Sequence, residues 1–218
     1  SYNNSKEIIK DISFKIKKGD SAGIIGESGS GKTTLIDIIL GLLDPTSGEI
    51  KVDSINIRNQ KRSWQDNIGY VPQFIYLTDD TLRNNIAFGI EQKNINHERV
   101  EKALEASHLK DFIESLPEGL DTVVGERGVK ISGGQQQRIG VARSLYHDPD
   151  LLILDEATSS LDIETEKKII DEVNNLKNTK TIIFVSHRLT AVKNCDFIIQ
   201  LDKGKVKKIG KPSEILSF

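Results

Sequence analysis

Along the chain the spacing of hydrophobic and polar positions changes period several times, and each change predicts an element. Ile8, Ile12, Phe14 and Ile16 fall on one side of an alternating stretch, Gly19-Asp20 signals a turn, and an apolar run from Ser21 to Ile25 follows. This pattern predicts two strands joined by a hairpin. A glycine-rich loop, GESGSGKTT, then opens the apolar helix LIDIILGLL, which Pro45 to Gly48 is expected to break. GEIKVDSINI alternates Ile50, Val52, Ile55 and Ile57 with polar residues, allowing one slip near Ser54, and predicts antiparallel strands lying against the core. IGYVPQ, from Ile68 to Gln73, reads as a short buried strand stopped by Pro72.

After Gln73 the period becomes helical. Val100, Ala103, Leu104 and Ser107 share one helical face, and Phe112, Ile113 and Leu116 follow before Pro117. This helical insert ends at Gly133-Gly134. QQQRIGVARSLY then predicts a helix, and LLILD at Leu151 to Asp155 a buried strand. Glu164 to Leu176 predicts a helix with Ile169, Ile170, Val173 and Leu176 inward. TIIFV at Thr181 to Val185 and FIIQL at Phe197 to Leu201 are two further buried strands. Strands alternating with helices imply an α/β fold with a mainly parallel sheet.

At 218 residues the chain can bury one core, or a core with one inserted subdomain. Lys+Arg 30 against Asp+Glu 32, spread along the chain for a net charge of -2, leaves no basic block to hold nucleic acid through its phosphates. Nucleic acid is therefore not expected as a partner. Cys195 is the single cysteine, so no intramolecular disulfide can form; it reads as a small buried hydrophobe in a reducing, cytosolic setting. No apolar run approaches the roughly 18 residues that a membrane-spanning helix needs, and the opening SYNNSKEIIK lacks the order of a signal peptide. Methionine is absent throughout, which suggests a domain cut from something longer, with any membrane attachment supplied by another segment or subunit.

Chemistry concentrates at two phosphate-binding patterns. Gly26-Glu27-Ser28-Gly29-Ser30-Gly31-Lys32-Thr33 matches G-x-x-x-x-G-K-[ST] between a predicted strand and a predicted helix, the setting this loop requires. At average residue frequencies the bare pattern arises by chance in on the order of one chain in a hundred of this length. The glycines let main-chain N–H groups curl around the β- and γ-phosphates, with Thr34 continuing into the helix whose positive end adds to the field. Lys32 would neutralise phosphate charge and Thr33 would offer a hydroxyl to Mg²⁺. LLILDEA carries Asp155 and Glu156 to the end of a buried strand, where open α/β sheets place ligand groups. Asp155 can hold Mg²⁺ through water, leaving Glu156 to polarise an attacking water as general base. Taken alone, such a carboxylate pair could equally cap a helix; beside the phosphate loop the nucleotide reading prevails.

ISGGQQQR, from Ile131 to Arg138, is a second anion-binding surface built of a serine hydroxyl, two glycines and a helix N-terminus. A chain with both surfaces resembles an ABC-type ATPase, and ISGGQQQR is similar to that family's signature, with Ile131 where Leu is commoner. The resemblance covers essentially the whole chain. It implies a P-loop NTPase (RecA-like) core at residues 1–75 and 150–218, with an antiparallel β subdomain, and an inserted α-helical signature subdomain at 76–149. It further implies ATP and Mg²⁺ as cofactors, and a second copy of the same or a homologous domain whose Ser132, Gly133, Gly134 and Gln135 close over nucleotide held by the first. Gln73, after a strand and Pro72, looks like the glutamine that senses Mg²⁺ and the membrane domain. His187, after TIIFVS, looks like the switch histidine at the γ-phosphate; His97, His108 and His147 lack that setting and read as surface residues. Ser159-Ser160-Leu161-Asp162 resembles the family's dimer-contact loop, with Ser160 in place of the more frequent Ala. Tyr2 stands where the family stacks an aromatic ring on adenine. Trp64 is expected only to anchor the hairpin region on the core.

TVVGERG at Thr122 to Gly128 and DDTLRNNIAFG at Asp79 to Gly89 resemble exporter segments that meet the intracellular loops of a transmembrane domain. PQFIYLTDDTLRNNIAFG and GLLDPTSGEIKVD resemble, more narrowly, bacterial lipid-linked oligosaccharide flippases. The implied setting is the cytoplasmic face of a bacterial inner membrane. The alternative, a soluble ABC-type ATPase of DNA repair or chromosome maintenance, calls for a long coiled coil between the motifs, and no sustained heptads occur here.

Overall fold

The computed structural model describes residues 8–126, 128–157 and 161–216. Its strands are β1 (Ser21–Ile25), β2 (Lys51–Val52), β3 (Ile55–Asn56), β4 (Ile68–Val71), β5 (Asp80–Thr81), β6 (Val123–Val124), β7 (Leu151–Asp155), β8 (Thr181–Val185), β9 (Phe197–Asp202) and β10 (Lys205–Gly210). The helices are α1 (Lys32–Ile39), α2 (Lys61–Asp66), α3 (Leu82–Ile86), α4 (His97–Ala106), α5 (Lys110–Glu114), α6 (Gly133–Tyr146), α7 (Ile163–Asn175), α8 (Leu189–Val192) and α9 (Pro212–Ile215). Among the described residues the main sheet has six strands in the order β10-β9-β1-β8-β7-β4, parallel except for the β9–β10 pair.

The near-continuous apolar composition of β1, β7, β8 and β9 follows from burial on both faces. Successive side chains leave opposite faces of a strand. On one face Leu151, Ile153, Ile183 and Val185 join Leu35, Ile36 and Ile39 of α1 in one cluster. On the other, Leu152, Leu154, Ile182 and Phe184 join Ile169, Ile170 and Val173 of α7, and that cluster runs on through Leu82, Ile86, Val100, Leu104 and Ile139 of the helical insert. Cys195 is buried there, as expected, and burial pushes its thiol pKa up to about 12, which leaves it a neutral hydrophobe.

Two local expectations are corrected. Residues 8–16 form no strand; Ile9, Ile12, Phe14 and Ile16 do pack against the α1-side cluster, but a hairpin with β1 is impossible because β8 and β9 already occupy both of its edges. Alternation reported the buried face and could not report the partner. Helix α1 likewise ends before Pro45: Gly41 turns left-handed at φ 69°, and Trp64 Nε1 and Gln65 Nε2 of α2 donate to the carbonyls of Ile39 and Leu40 at 2.7 and 3.1 Å. Trp64 thus anchors α2 by satisfying helix-end carbonyls that α1 leaves open. The slip near Ser54 is a two-residue hairpin turn: Val52 pairs with Ile55, and Asp53 and Ser54 both take positive φ, 47° and 71°.

Candidate functional site

Strand register brings the motifs together. Ile24 of β1 pairs with Val185 of β8, Val185 with Asp155 of β7, and Leu154 with Val71 of β4. Four parallel strands therefore end along one edge, and the segments that leave them are Gly26–Thr34, Ser186-His187, Asp155-Glu156 and Pro72-Gln73. This is the carboxyl edge at which open α/β sheets bind ligands.

Gly26–Thr34 has the form of an anion cradle. A Cβ on Gly26 would lie 2.6 Å from the Leu201 carbonyl oxygen, and one on Gly31, at φ 100°, would lie 2.7 Å from Ile9 Cγ2. Around Gly29 there is open space instead. Gly31 caps α1 with no side-chain hydrogen bond, so the first N–H groups of the helix face outward without an internal acceptor. The Ser30 hydroxyl is buried without a partner. Lys32 Nζ folds back to donate to the carbonyls of Gly26 and Glu27 at 2.8 and 3.0 Å. Glu27, Ser28 and Thr33 are exposed, and Thr34 is half-buried.

Glu156 lies at the centre of the edge. Its main chain is left-handed at φ 49°, an uncommon conformation for a residue with a side chain, and its N–H donates to the Val185 carbonyl at 2.8 Å. That turn delivers the carboxylate to two neighbours: Gln73 Nε2 donates to Oε2 at 2.8 Å, and His187 Nδ1 lies 3.1 Å from Oε1. Asp155 is half-buried, and loss of water holds its carboxyl above the usual range, with the neighbouring Glu156 adding to the effect. The Tyr70 hydroxyl donates to Asp155 Oδ2 at 3.2 Å, and burial, reinforced by that carboxylate, raises the Tyr70 pKa. Nothing in the sequence pattern marks Tyr70, because in β4 it reads as one more strand residue.

The second anion surface lies apart. Ser132 caps α6 in a reciprocal box: its hydroxyl accepts from Gln135 N at 3.2 Å, and its own N–H donates to Gln135 Oε1 at 2.9 Å. Ser132 and Gly133 are exposed, and α6 packs on α3, α4 and β4. Among the described residues, no hydrogen bond of Ser132 reaches Gly26–Thr34. Asp162 caps α7 by accepting from Thr165 N at 2.9 Å, whereas Ser159, Ser160 and Tyr2 lie outside the described residues. β5 and β6 pair with each other, joining the two segments that sequence analysis compared with exporters. His97 and His147 are exposed; His108 is half-buried, 3.8 Å from Glu172.

A strand–glycine loop–helix cradle, with a carboxylate pair delivered to the same sheet edge, defines a P-loop NTPase of α/β architecture. Residues 9–159 match the ABC transporter family. An ATP-dependent lipid A-core flippase of Coxiella burnetii is 42% identical over 219 residues, covering 100% of this chain and 37% of its own length. Heavy metal tolerance factor 1 of Caenorhabditis elegans is 42% identical over 217 residues, covering 99% of this chain and 27% of its own. A solved structure of a bacterial Atm1-family ABC exporter with ATP bound superposes with a TM-score of 0.92 at 36% identity, over 99% of this chain and 38% of that one. The chain belongs to the ABC transporter family and is its ATP-binding, ATP-hydrolysing domain. It spans little more than a third of the length of the flippase it matches. Among the described residues no helix is long and apolar enough to cross a membrane.

Proposed function

We propose that this chain is the motor of an exporter: it binds MgATP on Gly26–Thr34, meets Ser132–Gln135 of a second copy or a homologous domain across that nucleotide, and passes closure and reopening to a transmembrane domain. The observation that carries the reading is the Glu156 carboxylate held between Gln73 and His187, beside the phosphate cradle. Lys32 exchanges its carbonyl partners for phosphate oxygens. Glu156 accepts the proton of the attacking water while the terminal phosphate–oxygen bond to the leaving ADP breaks, and His187 and Gln73 hold the carboxylate in place. Tyr2 is assigned to the adenine.

Mg²⁺ would be held by Thr33, Asp155 and Gln73 together with phosphate oxygens, and it supplies neutralisation of the phosphate charge. The fit rests on Asp155, a half-buried carboxylate whose pKa loss of water raises, for which a cation is the natural complement.

For the membrane partner, the support is a set of exposed apolar side chains: Phe74 and Tyr76 are 83% and 72% exposed, with Phe88 and, in β6, Val123 also uncovered. Residues 76–149 then form the helical signature subdomain, which carries Tyr76, Phe88 and Val123 of this set, beside the core at 1–75 and 150–218. The setting is the cytoplasmic face of a bacterial inner membrane. A lipid-linked oligosaccharide is the proposed cargo class, and selection of the cargo lies outside this chain: relatives of equal identity are named for lipid A-core and for heavy metal tolerance. The DNA-repair reading is not favoured, since the matching family is that of ABC transporters and the superposed structure is an ABC exporter.

Glu156→Gln tests the reading. Loss of a general base slows chemistry by about 10²–10⁴-fold, so this variant is expected to bind MgATP and scarcely hydrolyse it. Size-exclusion chromatography should then show a dimer with MgATP and a monomer without it. Near-normal turnover would remove Glu156 from its role.

A further inference from the structure

One stripe of α6 grips the segment that follows Gln73. Ser132, Gln136, Gly140 and Arg143 stand at the three- and four-residue spacings that share a helix face. Gln136 Nε2 donates to the Ile75 carbonyl. Gly140 leaves room for the Ile75 side chain, since a Cβ there would lie 2.3 Å from Ile75 Cδ1. Arg143 donates from Nη1 to the Tyr76 carbonyl at 3.0 Å, from Nε to the Asn85 carbonyl at 2.8 Å and from Nη2 to Asn85 Oδ1 at 3.1 Å.

Asn85 is fully buried and closes the same segment on itself. Its Oδ1 accepts from Thr78 N at 3.0 Å, and its Nδ2 donates to the carbonyls of Thr78 and Thr81, both at 3.1 Å. The partners of Arg143 in these bonds are neutral oxygens, two of the main chain and one of the Asn85 side chain, and its guanidinium also lies over the Phe88 ring at 4.9 Å, so it fastens this segment without a charge pair in these contacts. Its rigid fork suits it to hold two carbonyls and an amide at once, which a lysine could not do. From Ile75 to Asn85 the loop is thereby fastened to α6. Gln73 stands two residues before Ile75, separated from the grip only by the exposed Phe74, and it reaches Glu156.

We propose that Arg143 and Asn85 are positioning residues for Gln73: they make its approach to Glu156 follow the position of α6, the helix whose N-terminus presents Ser132. Engagement of Ser132 on a partner's nucleotide would shift α6, and the clamp would carry that shift through the Ile75 and Tyr76 main chain to the Gln73–Glu156 bond. Contact at one composite site would thus set the alignment of the base in the protomer that supplies the signature. The inference rests on the reading that Gln73 serves Glu156 in hydrolysis.

A double-mutant cycle in the intact protein separates positioning from general support. Gln73→Ala and Arg143→Gln are each expected to lower kcat by about ten- to a hundredfold, the range that follows from misplacing a group by about 1 Å, and Arg143→Gln should change ATP affinity less than about twofold. In the Gln73→Ala background, Arg143→Gln should lower kcat no further. A further loss equal to its effect in the wild type would overturn the proposal, because Arg143 would then act by a route other than Gln73; so would unchanged turnover in Arg143→Gln alone. If Gln73→Ala itself leaves kcat intact, the hydrolytic reading of Gln73 fails and the inference with it. Should Arg143→Gln lose ATP binding through misfolding, Gln136→Ala, which removes only the bond to Ile75, enters the same cycle with the same two outcomes.

Discussion

The main-chain conformation of Glu156 shapes the candidate site. A left-handed main chain at a strand end costs on the order of 1–3 kcal/mol, and here it points a carboxylate at Gln73 and His187 instead of into the sheet. Its neighbour Asp155 carries a different cost. Burial raises its folded pKa, so the stability associated with a protonated Asp155 is fully present below about pH 4, the ordinary aspartate range, and is lost as pH rises through the raised folded value. Asp155→Asn removes that loss and can still accept from Tyr70. Without nucleotide at neutral pH its melting temperature should therefore equal or exceed that of the wild type, with the two curves converging in acid, while Mg²⁺-dependent hydrolysis disappears. A melting temperature well below wild type at neutral pH would mean that Asp155 holds the fold together rather than waiting for a cation. The motif identified this aspartate, but its half-burial and the Tyr70 bond came from packing between β4 and β7, which no spacing encodes.

At the scale of elements, α6 has two separable functions at one end. Ser132 caps it, and a lost serine cap costs about 1 kcal/mol, so Ser132→Ala should lower thermal stability by a few degrees. Aspartate caps a helix as well as serine does, yet on the proposed reading it puts a negative charge where a partner-held phosphate would dock. Ser132→Asp should accordingly melt like the wild type and bind ATP on its own Gly26–Thr34, but fail to dimerise with MgATP on a sizing column. If it dimerises normally, the exposed cap is structural alone. Most elements were legible: the apolar runs of β1, β7, β8 and β9 and the periodic faces of α4 and α7 appear where the pattern put them. Two were not. Strand β10 is too polar, with KVKKIG exposed along much of an edge, and residues 8–16 alternate like a strand without having an open edge to pair with.

For the whole molecule, the proposed pairing of Ser132–Gln135 with the Gly26–Thr34 of a second copy predicts two composite sites related by a twofold axis. In the Glu156→Gln background, Lys32→Ala alone and Ser132→Asp alone should each leave no intact site. Mixed together, they should form heterodimers that retain one nucleotide, since one site then pairs an intact Lys32 with an intact Ser132. Mixtures that retain none would exclude the shared site. The amino-acid sequence by itself determined the family, the two anion-binding loops, the carboxylate pair and the α/β class, because each depends on residue types at short spacing or on the alternation of buried faces. Only the tertiary structure decided which strand ends lie side by side, that Gln73 and His187 converge on one carboxylate, and that α6 holds the chain beyond Gln73. Those contacts join residues from 61 to 85 positions apart in some pairs, for example Gln136 to Ile75 and Tyr70 to Asp155. Strand register and side-chain packing set such distances, and neither leaves a local mark on the chain.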